Sequence, residues 1–318
     1  MSALPSYWIS HSSCRLHRME PGHPECPERL AAVEDRVMAS GLDLFLHRLD
    51  APAATADALL RVHGAEHVEA VLRTRPSEGL VHIDPDTSMN PHTADAALHA
   101  AGAGVLAVDL LMSRRAGFVF CNVRPPGHHA ERNRAMGFCF FNNIAVAAAE
   151  ALSRGLSRVA ILDFDVHYGN GTADIFRNEP RVLMCSTYQH PLYPYSGGVP
   201  KGENMVNLPI PPYTRGMEIR DMIEAMWMPR LEAFKPQMIV ISAGFDAHRE
   251  DDLGQLGLVE ADYEWITRRV KDIADRHAGG RIVSCLEGGY ALGALGRSVA
   301  AHLRRVLRRC IARFAGHR

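Results

Sequence analysis

The chain has 318 residues, 47% of them hydrophobic and 22% charged, with 35 basic side chains against 36 acidic ones. That apolar share can build a large core, the length suits one large α/β domain with no linker-like stretch, and the balanced charge provides no field to draw nucleic acid or anionic lipid. The opening MSALPSYWISHSSC lacks a basic segment followed by an apolar one, and no window reads as the roughly 20 apolar residues of a membrane span, so a soluble, cytoplasmic protein is expected.

PERLAAVEDRVMAS (27–40) opens with proline at a helix start and carries apolar residues at spacings of three and four, which predicts an amphipathic helix. ADALLRVHGAEHVEAVLRT (56–74) reads the same way, with His63 and His67 expected in surface or capping roles. HIDPDTSMNP (82–91) reads as a rim loop. HTADAALHAAGAGVLAVDLLMS (92–113) is rich in small residues and predicts a helix packed closely on a sheet. GFVFCNV (117–123), VAILDFDV (159–166), RVLMCSTY (181–188), QMIVISAGF (237–245) and RIVSCLEGG (281–289) are continuous apolar runs, as in parallel strands covered on both faces. Helices are expected between them, at IAVAAAEALSRG (144–155) and MEIRDMIEAMWMPRLEAF (217–234). HLRRVLRRCIARF (302–314) groups Leu303, Val306, Leu307, Cys310, Ile311 and Phe314 on one face opposite a solvated arginine face. The alternation predicts a mostly parallel α/β sheet whose strand ends are aligned by right-handed crossovers.

The cysteines at 14, 26, 121, 139, 185, 285 and 310 are odd in number and fall mostly in strand-like runs or beside aromatics, so they read as reduced core thiols. Cys14 and Cys26 lie near His11, His17 and His23, but the C-x₂-C pair of a structural zinc site is absent.

Three strand-like runs end in metal-ligand types, placing Asp165, His167 and Asp246 at the carboxyl ends of strands, where α/β folds hold their chemistry. Two carboxylates and one imidazole leave a zinc ion an open position for water and a substrate carbonyl. They also leave its charge nearly neutralised, so a neighbouring base is needed to activate the water. His128 and His129, in RPPGHHA (124–130), are the available bases.

RPPGHHA, MGFCFFNN (136–143), DFDVHYGNGT (163–172), SAGFDAH (242–248) and EGGY (287–290), preceded by HPECPERL (23–30), resemble in this order the histone deacetylase family, particularly its class II members and bacterial amidohydrolases. The resemblance implies a single catalytic domain over 1–318 with the arginase/deacetylase fold, an eight-stranded sheet flanked by helices. It implies that water held by zinc at Asp165, His167 and Asp246 attacks an acyl amide, with His129 as general base and then acid and His128 as electrostatic support. Asp163 would orient His128, Asn170 would orient His129, and the Tyr290 hydroxyl would donate to the oxyanion. Potassium is expected at Asp163, Asp165, His167, Ser186 and Thr187, and ferrous iron suits the zinc ligands too. Gly137, Phe138, Tyr193 (in PLYPYSGG, 191–198) and Leu253 would line the substrate channel. Asp84 or Asp86 would accept hydrogen bonds from the substrate backbone, and Arg29 matches an arginine beneath the metal, where a structural salt bridge fits equally well.

The substrate implied is an acyl-lysine protein or peptide, with an acetylpolyamine or other small acyl-amide as the alternative. Polyamine deacetylases of this family carry a glutamate seven residues after the second zinc aspartate, where this chain has Leu253, although acidic REDD (249–252) stands close by. An arginase-like ureohydrolase would need a further acid where Gly169 stands, and a catalytically dead acyl-lysine reader would lose Tyr290 or one of the paired histidines. No nucleic-acid or membrane partner is expected, and homo-oligomerisation is left open.

Overall fold

In the computed structural model, residues 4–197 and 202–315 are described. The apolar runs pair as one all-parallel sheet of eight strands. In chain order the strands are β1 (Ser6–Ser10), β2 (Leu46–Asp50), a separate antiparallel hairpin of β3 (Val81–Asp84) and β4 (Thr87–Met89), β5 (Phe118–Cys121), β6 (Val159–Asp163), β7 (Val182–Gln189), β8 (Met205–Ile210), β9 (Met238–Ala243) and β10 (Ile282–Leu286). Their order across the sheet is β2-β1-β5-β10-β9-β6-β7-β8. Strands β5, β6, β9 and β10 are buried at every position, the signature of a parallel sheet with both faces covered.

The helices are α1 (Glu28–Ala39), α2 (Ala56–Leu60), α3 (Ala65–Arg73), α4 (Thr93–Met112), α5 (Asn143–Ser153), α6 (Asn170–Phe176), α7 (Gly216–Phe234), α8 (Glu260–His277) and α9 (Leu292–Ala315). They flank the sheet in groups: α1, α8 and α9 pack together, α4 packs on α5, and α7 packs on α8 and the β7–β8 edge.

Several sequence expectations change. Residues 56–74 form α2 and α3 rather than one helix, because the chain turns at His63 and Gly64. The Gly64 N–H donates to the Arg132 carbonyl, and a Cβ on Gly64 would lie 2.2 Å from Asn133 Oδ1. His63 and His67 are buried instead of superficial. His63 accepts from the Asn142 N–H and meets the Glu131 carbonyl, while His67 meets the Phe140 carbonyl, so both brace the 131–142 segment. The segment 82–91 contains the β3–β4 hairpin rather than a plain loop.

Contrary to the hydropathy reading, α4 is long and apolar enough to cross a bilayer, with a mean hydropathy of 1.4. Its apolarity comes from Ala, Gly and Leu residues that lie mostly inside the fold against α5 and the sheet. The last helix begins at Leu292, not residue 302; Leu303, Val306 and Leu307 are buried as expected. The side chains of Cys310 and Phe314, and Gly198 of the 191–198 segment, lie outside the described residues.

Candidate metal-dependent active site

Strand β6 ends at Asp163, and the loop before α6 carries Asp165 and His167; directly after β9 comes Gly244-Phe245-Asp246. These strands are neighbours in register, so their carboxyl ends deliver the three side chains to one buried point. One ligand atom each from Asp165, His167 and Asp246 lies within 4.8 Å of the others. His167 Nδ1 stands 3.1 Å from Asp165 Oδ1 and 3.2 Å from Asp246 Oδ2. The backbone N–H of Val166 donates to Asp246 Oδ1 at 2.8 Å, whereas Asp246 Oδ2 is buried and receives no well-directed hydrogen bond. The backbone of the β10 loop approaches from the far side: the Gly288 N–H donates to Asp165 Oδ2, and a Cβ there would sit 1.9 Å from Asp246 Oδ2. Only glycine permits that approach.

The charges show why a cation suits this point. Burial and the neighbouring Asp165 charge push Asp246 up to about 7. Burial opposes a charged His167, but the facing Asp165 and Asp246 carboxylates outweigh it and raise the imidazole to about 10. Two dry carboxylates, one with an oxygen lacking a donor, and one imidazole form a donor set that fits a divalent metal ion.

The 122–130 segment after β5 presents the paired imidazoles, whose ring centroids are 4.1 Å apart. His128 Nδ1 meets Asp163 Oδ2 at 3.0 Å, and His129 Nδ1 meets Asn170 Oδ1 at 2.7 Å. Their proton affinities diverge. Burial works against charge on His128, yet Asp165 and Asp163 overcome it and lift His128 well above the ordinary histidine value. Burial, then His128 and His167, hold His129 well below it. The two adjacent imidazoles are thus pushed in opposite directions, one toward the charged form and the other toward the neutral one.

Tyr290 follows the β10 loop, with its phenol pushed well above the usual tyrosine range by burial, against the Arg29 charge. Arg29 lies 4.8 Å from the centre of the Tyr290 ring, donates to the carbonyls of Gly289 and Glu287, and pairs with buried Glu25, so it serves both as the predicted salt bridge and as the floor of the site. Phe138 stands edge-on to Tyr290 and to His23, and Tyr193 edge-on to His129 and His167, so the two aromatics flank the candidate site. Gly137 has φ +57°, and a Cβ on it would press within 2.5 Å of His129 Cδ2. Ser186 pairs with Asp163 across β6 and β7, and its buried Oγ has no partner. Asp84 and Asp86 each spend an oxygen inside the hairpin, on Asp86 N–H and the Thr87 hydroxyl.

A model of the histone deacetylase domain matches residues 23–306. The chain belongs to the histone deacetylase family. It is 38% identical to a probable deacetylase of Archaeoglobus fulgidus over 296 residues, covering 90% of this chain and 82% of that one. It is also 38% identical to the histone deacetylase-like amidohydrolase of Pseudomonas aeruginosa over 278 residues, 85% of this chain and 73% of the other. The crystal structure of the HDA15 HD domain superimposes with a TM-score of 0.90 at 32% identity, covering 96% of this chain and 89% of that chain. This deacetylase-family hydrolase therefore has the arginase/deacetylase fold expected from its motifs.

The deacetylase site also uses residues that the sequence reading passed over. Asp251, in the acidic REDD run, is buried: Oδ2 accepts from the N–H groups of Tyr290 (2.6 Å) and Ala291 (2.9 Å), and Oδ1 from Leu253 N–H (3.1 Å). Glu287, pushed up to about 7 first by burial, accepts from the N–H groups of Gly127 and His128 and thereby anchors the histidine loop to β10. The Thr87 hydroxyl oxygen accepts from Phe138 N–H at 3.0 Å, tying the hairpin to the flanking aromatic. A single buried acid within an acidic run leaves no periodic signal, but Glu287 could have been noticed as a charge directly after the apolar IVSCL strand.

Proposed function

We propose that this hydrolase is a zinc-dependent amidohydrolase that removes acetyl or other acyl groups from the ε-amine of lysine in proteins or peptides. The observation that carries the reading is the convergence of the Asp165–His167–Asp246 group with two adjacent histidines of opposite proton affinity. Asp165, His167 and Asp246 would hold the ion, which when bound supplies Lewis acidity toward the amide carbonyl and toward water; zinc is the first choice and ferrous iron suits the same donors.

The chain's own groups divide the remaining work. His129, held neutral, takes the proton from the attacking water through Nε2 while Nδ1 faces Asn170. His128, paired with Asp163, contributes positive charge near the developing oxyanion. Tyr290, kept protonated by burial, donates its hydroxyl to that oxyanion. His129 returns the proton taken from water to the nitrogen as the C–N bond breaks, releasing a carboxylic acid and a free amine, between which the remaining proton passes in water. Gly137, Phe138, Tyr193 and Leu253 would enclose the methylenes of the acyl-lysine, and Asp84 or Asp86 would meet the substrate backbone with their remaining oxygens. Potassium would sit among Asp163, Asp165, Ser186 and the carbonyls of His167 and Thr187, a placement supported by the unpartnered Ser186 oxygen.

Leu253 favours lysine over polyamine substrates, and two of the nearby acids are already committed. Asp251 is committed to backbone N–H groups and Glu250 to Arg297. The deciding experiment compares kcat/KM of the zinc-loaded protein on an acetyl-lysine peptide and on an acetylated diamine, with His129→Ala as control. Preference for the peptide, abolished in the control, is expected. Preference for the diamine would move the protein to the polyamine branch.

A further inference from the structure

We propose that Glu131 is a positioning residue for the base: it fixes which end of the Asn170 amide faces His129, and so which ring nitrogen of His129 is free to take a proton. This rests on the reading of His129 as general base given above.

The argument is one of donors and acceptors. Asn170 Nδ2 lies 2.9 Å from Glu131 Oε1, 3.4 Å from the His129 carbonyl oxygen and 3.4 Å from Met136 Sδ. A carboxylate and a carbonyl only accept, and a thioether is at most a weak acceptor, so the end of the amide that meets them must be the NH₂ group. Its carbonyl oxygen is therefore the atom 2.7 Å from His129 Nδ1, and that nitrogen must carry the hydrogen. The lone pair is left on Nε2. Were Asn170 reversed, its oxygen would face the Glu131 carboxylate, its NH₂ would face Nδ1, and the lone pair would lie on the nitrogen buried against Asn170.

Glu131 is itself held in place. Its N–H donates to the Arg134 carbonyl at 2.9 Å, and its carbonyl oxygen lies 3.0 Å from His63 Nδ1. Its side chain borders a small cleft of about 210 Å³ lined also by Asn170, Arg134 and Arg177, so the charge is not carried in the dry interior. His63, which the sequence suggested was peripheral, thus belongs to the support of this arrangement. A neutral asparagine beside the base is in this way backed by a charge one residue further out, and the amide transmits its polarity to the imidazole.

The test exchanges the two groups. Asn170→Asp alone sets two carboxylates against each other at hydrogen-bond distance, whereas Glu131→Gln with Asn170→Asp restores one donor amide and one acceptor that can take the His129 Nδ1–H. The double variant is expected to recover roughly tenfold in kcat over Asn170→Asp, with KM little changed, a non-additivity that reports direct coupling. Effects that simply multiply, or Asn170→Asp turning over as fast as the double variant, would overturn the proposal. Long-range ¹H–¹⁵N spectra of the resting, zinc-loaded protein, with His129→Ala for assignment, read the tautomer without turnover. His129 protonated at Nδ1 in the parent chain, and losing that single tautomer in Glu131→Ala, is the expected result; a tautomer indifferent to Glu131 would also overturn it. If the parent chain hydrolyses neither peptide nor diamine, the functional reading fails while the spectra still decide the role of Glu131.

Discussion

Two imidazoles in contact differ in proton affinity because two aspartates face His128 and overcome its burial, whereas burial and the neighbouring His128 and His167 hold His129 down. That asymmetry lets adjacent residues of one type do different jobs. At the same scale, the phenol of Tyr290 and the carboxylate that aims it make separable predictions. Tyr290→Phe should lose most of its turnover, about 2.7 to 4 kcal/mol of transition-state stabilisation, while still binding metal and inhibitor; unchanged turnover would remove the assigned role. Asp251→Ala leaves the phenol intact but frees the Tyr290 and Ala291 N–H groups, so kcat should fall with metal content preserved. If metal is lost in step with activity, Asp251 acts on the ligands and not on the tyrosine.

The residues of chemistry were legible at this scale because they come in short, unusual strings: paired histidines after Pro-Pro-Gly, and Asp-x-Asp-x-His after an apolar strand. Asp251 was not, since among Arg249, Glu250 and Asp252 it differs from its neighbours only by facing inward to a backbone 39 residues away.

Among the elements, α9 joins the active-site loop to the core. His302, fully buried within it, contacts the hydroxyls of Thr267 on α8 and Ser284 on β10. Burial lowers His302 to about 3, below its ordinary 6.5. In the unfolded chain it gains a proton below pH 6.5 that the folded chain refuses until about pH 3, so its contribution to stability is fully present above that window and lost progressively as pH falls through it. His302→Gln, which keeps a donor and an acceptor but cannot titrate, should have a lower stability at pH 7 and a shallower loss between pH 7 and pH 5, read by urea denaturation at each pH. Identical slopes would show that His302 is not the titrating group. The element pattern itself was readable in the centre of the sheet, where β5, β6, β7, β9 and β10 are apolar on both faces. The outer strands were not. In β2 the sequence LHRLD exposes its middle residues, and in β8 MVNLPI mixes a proline and an asparagine into an edge, where the missing proline N–H is tolerated.

For the whole molecule, the three ligands hold β6 and β9 together through side chains that repel or stay unsatisfied without a cation. A metal that binds only the folded chain stabilises it by mass action, by about 2.7 kcal/mol at a hundredfold excess over Kd. Adding zinc to chelator-treated protein should therefore raise Tm in a concentration-dependent way, and Asp246→Ala should abolish that rise. A zinc-dependent shift that persists in Asp246→Ala would place the binding elsewhere.

The sheet order also constrains how the chain comes to exist. β10, last of the strands in sequence, lies between β5 and β9 at the middle of the sheet. As the chain leaves the ribosome, β2-β1-β5 and β9-β6-β7-β8 can assemble as two half-sheets, each presenting an unpaired and largely apolar edge until β10 is made. Such edges invite pairing with other chains, so the newborn protein is most in need of a chaperone just before β10 is inserted. The strand that seals the seam also leads into Tyr290, so the proposed oxyanion donor reaches the site in the same step that removes the aggregation hazard.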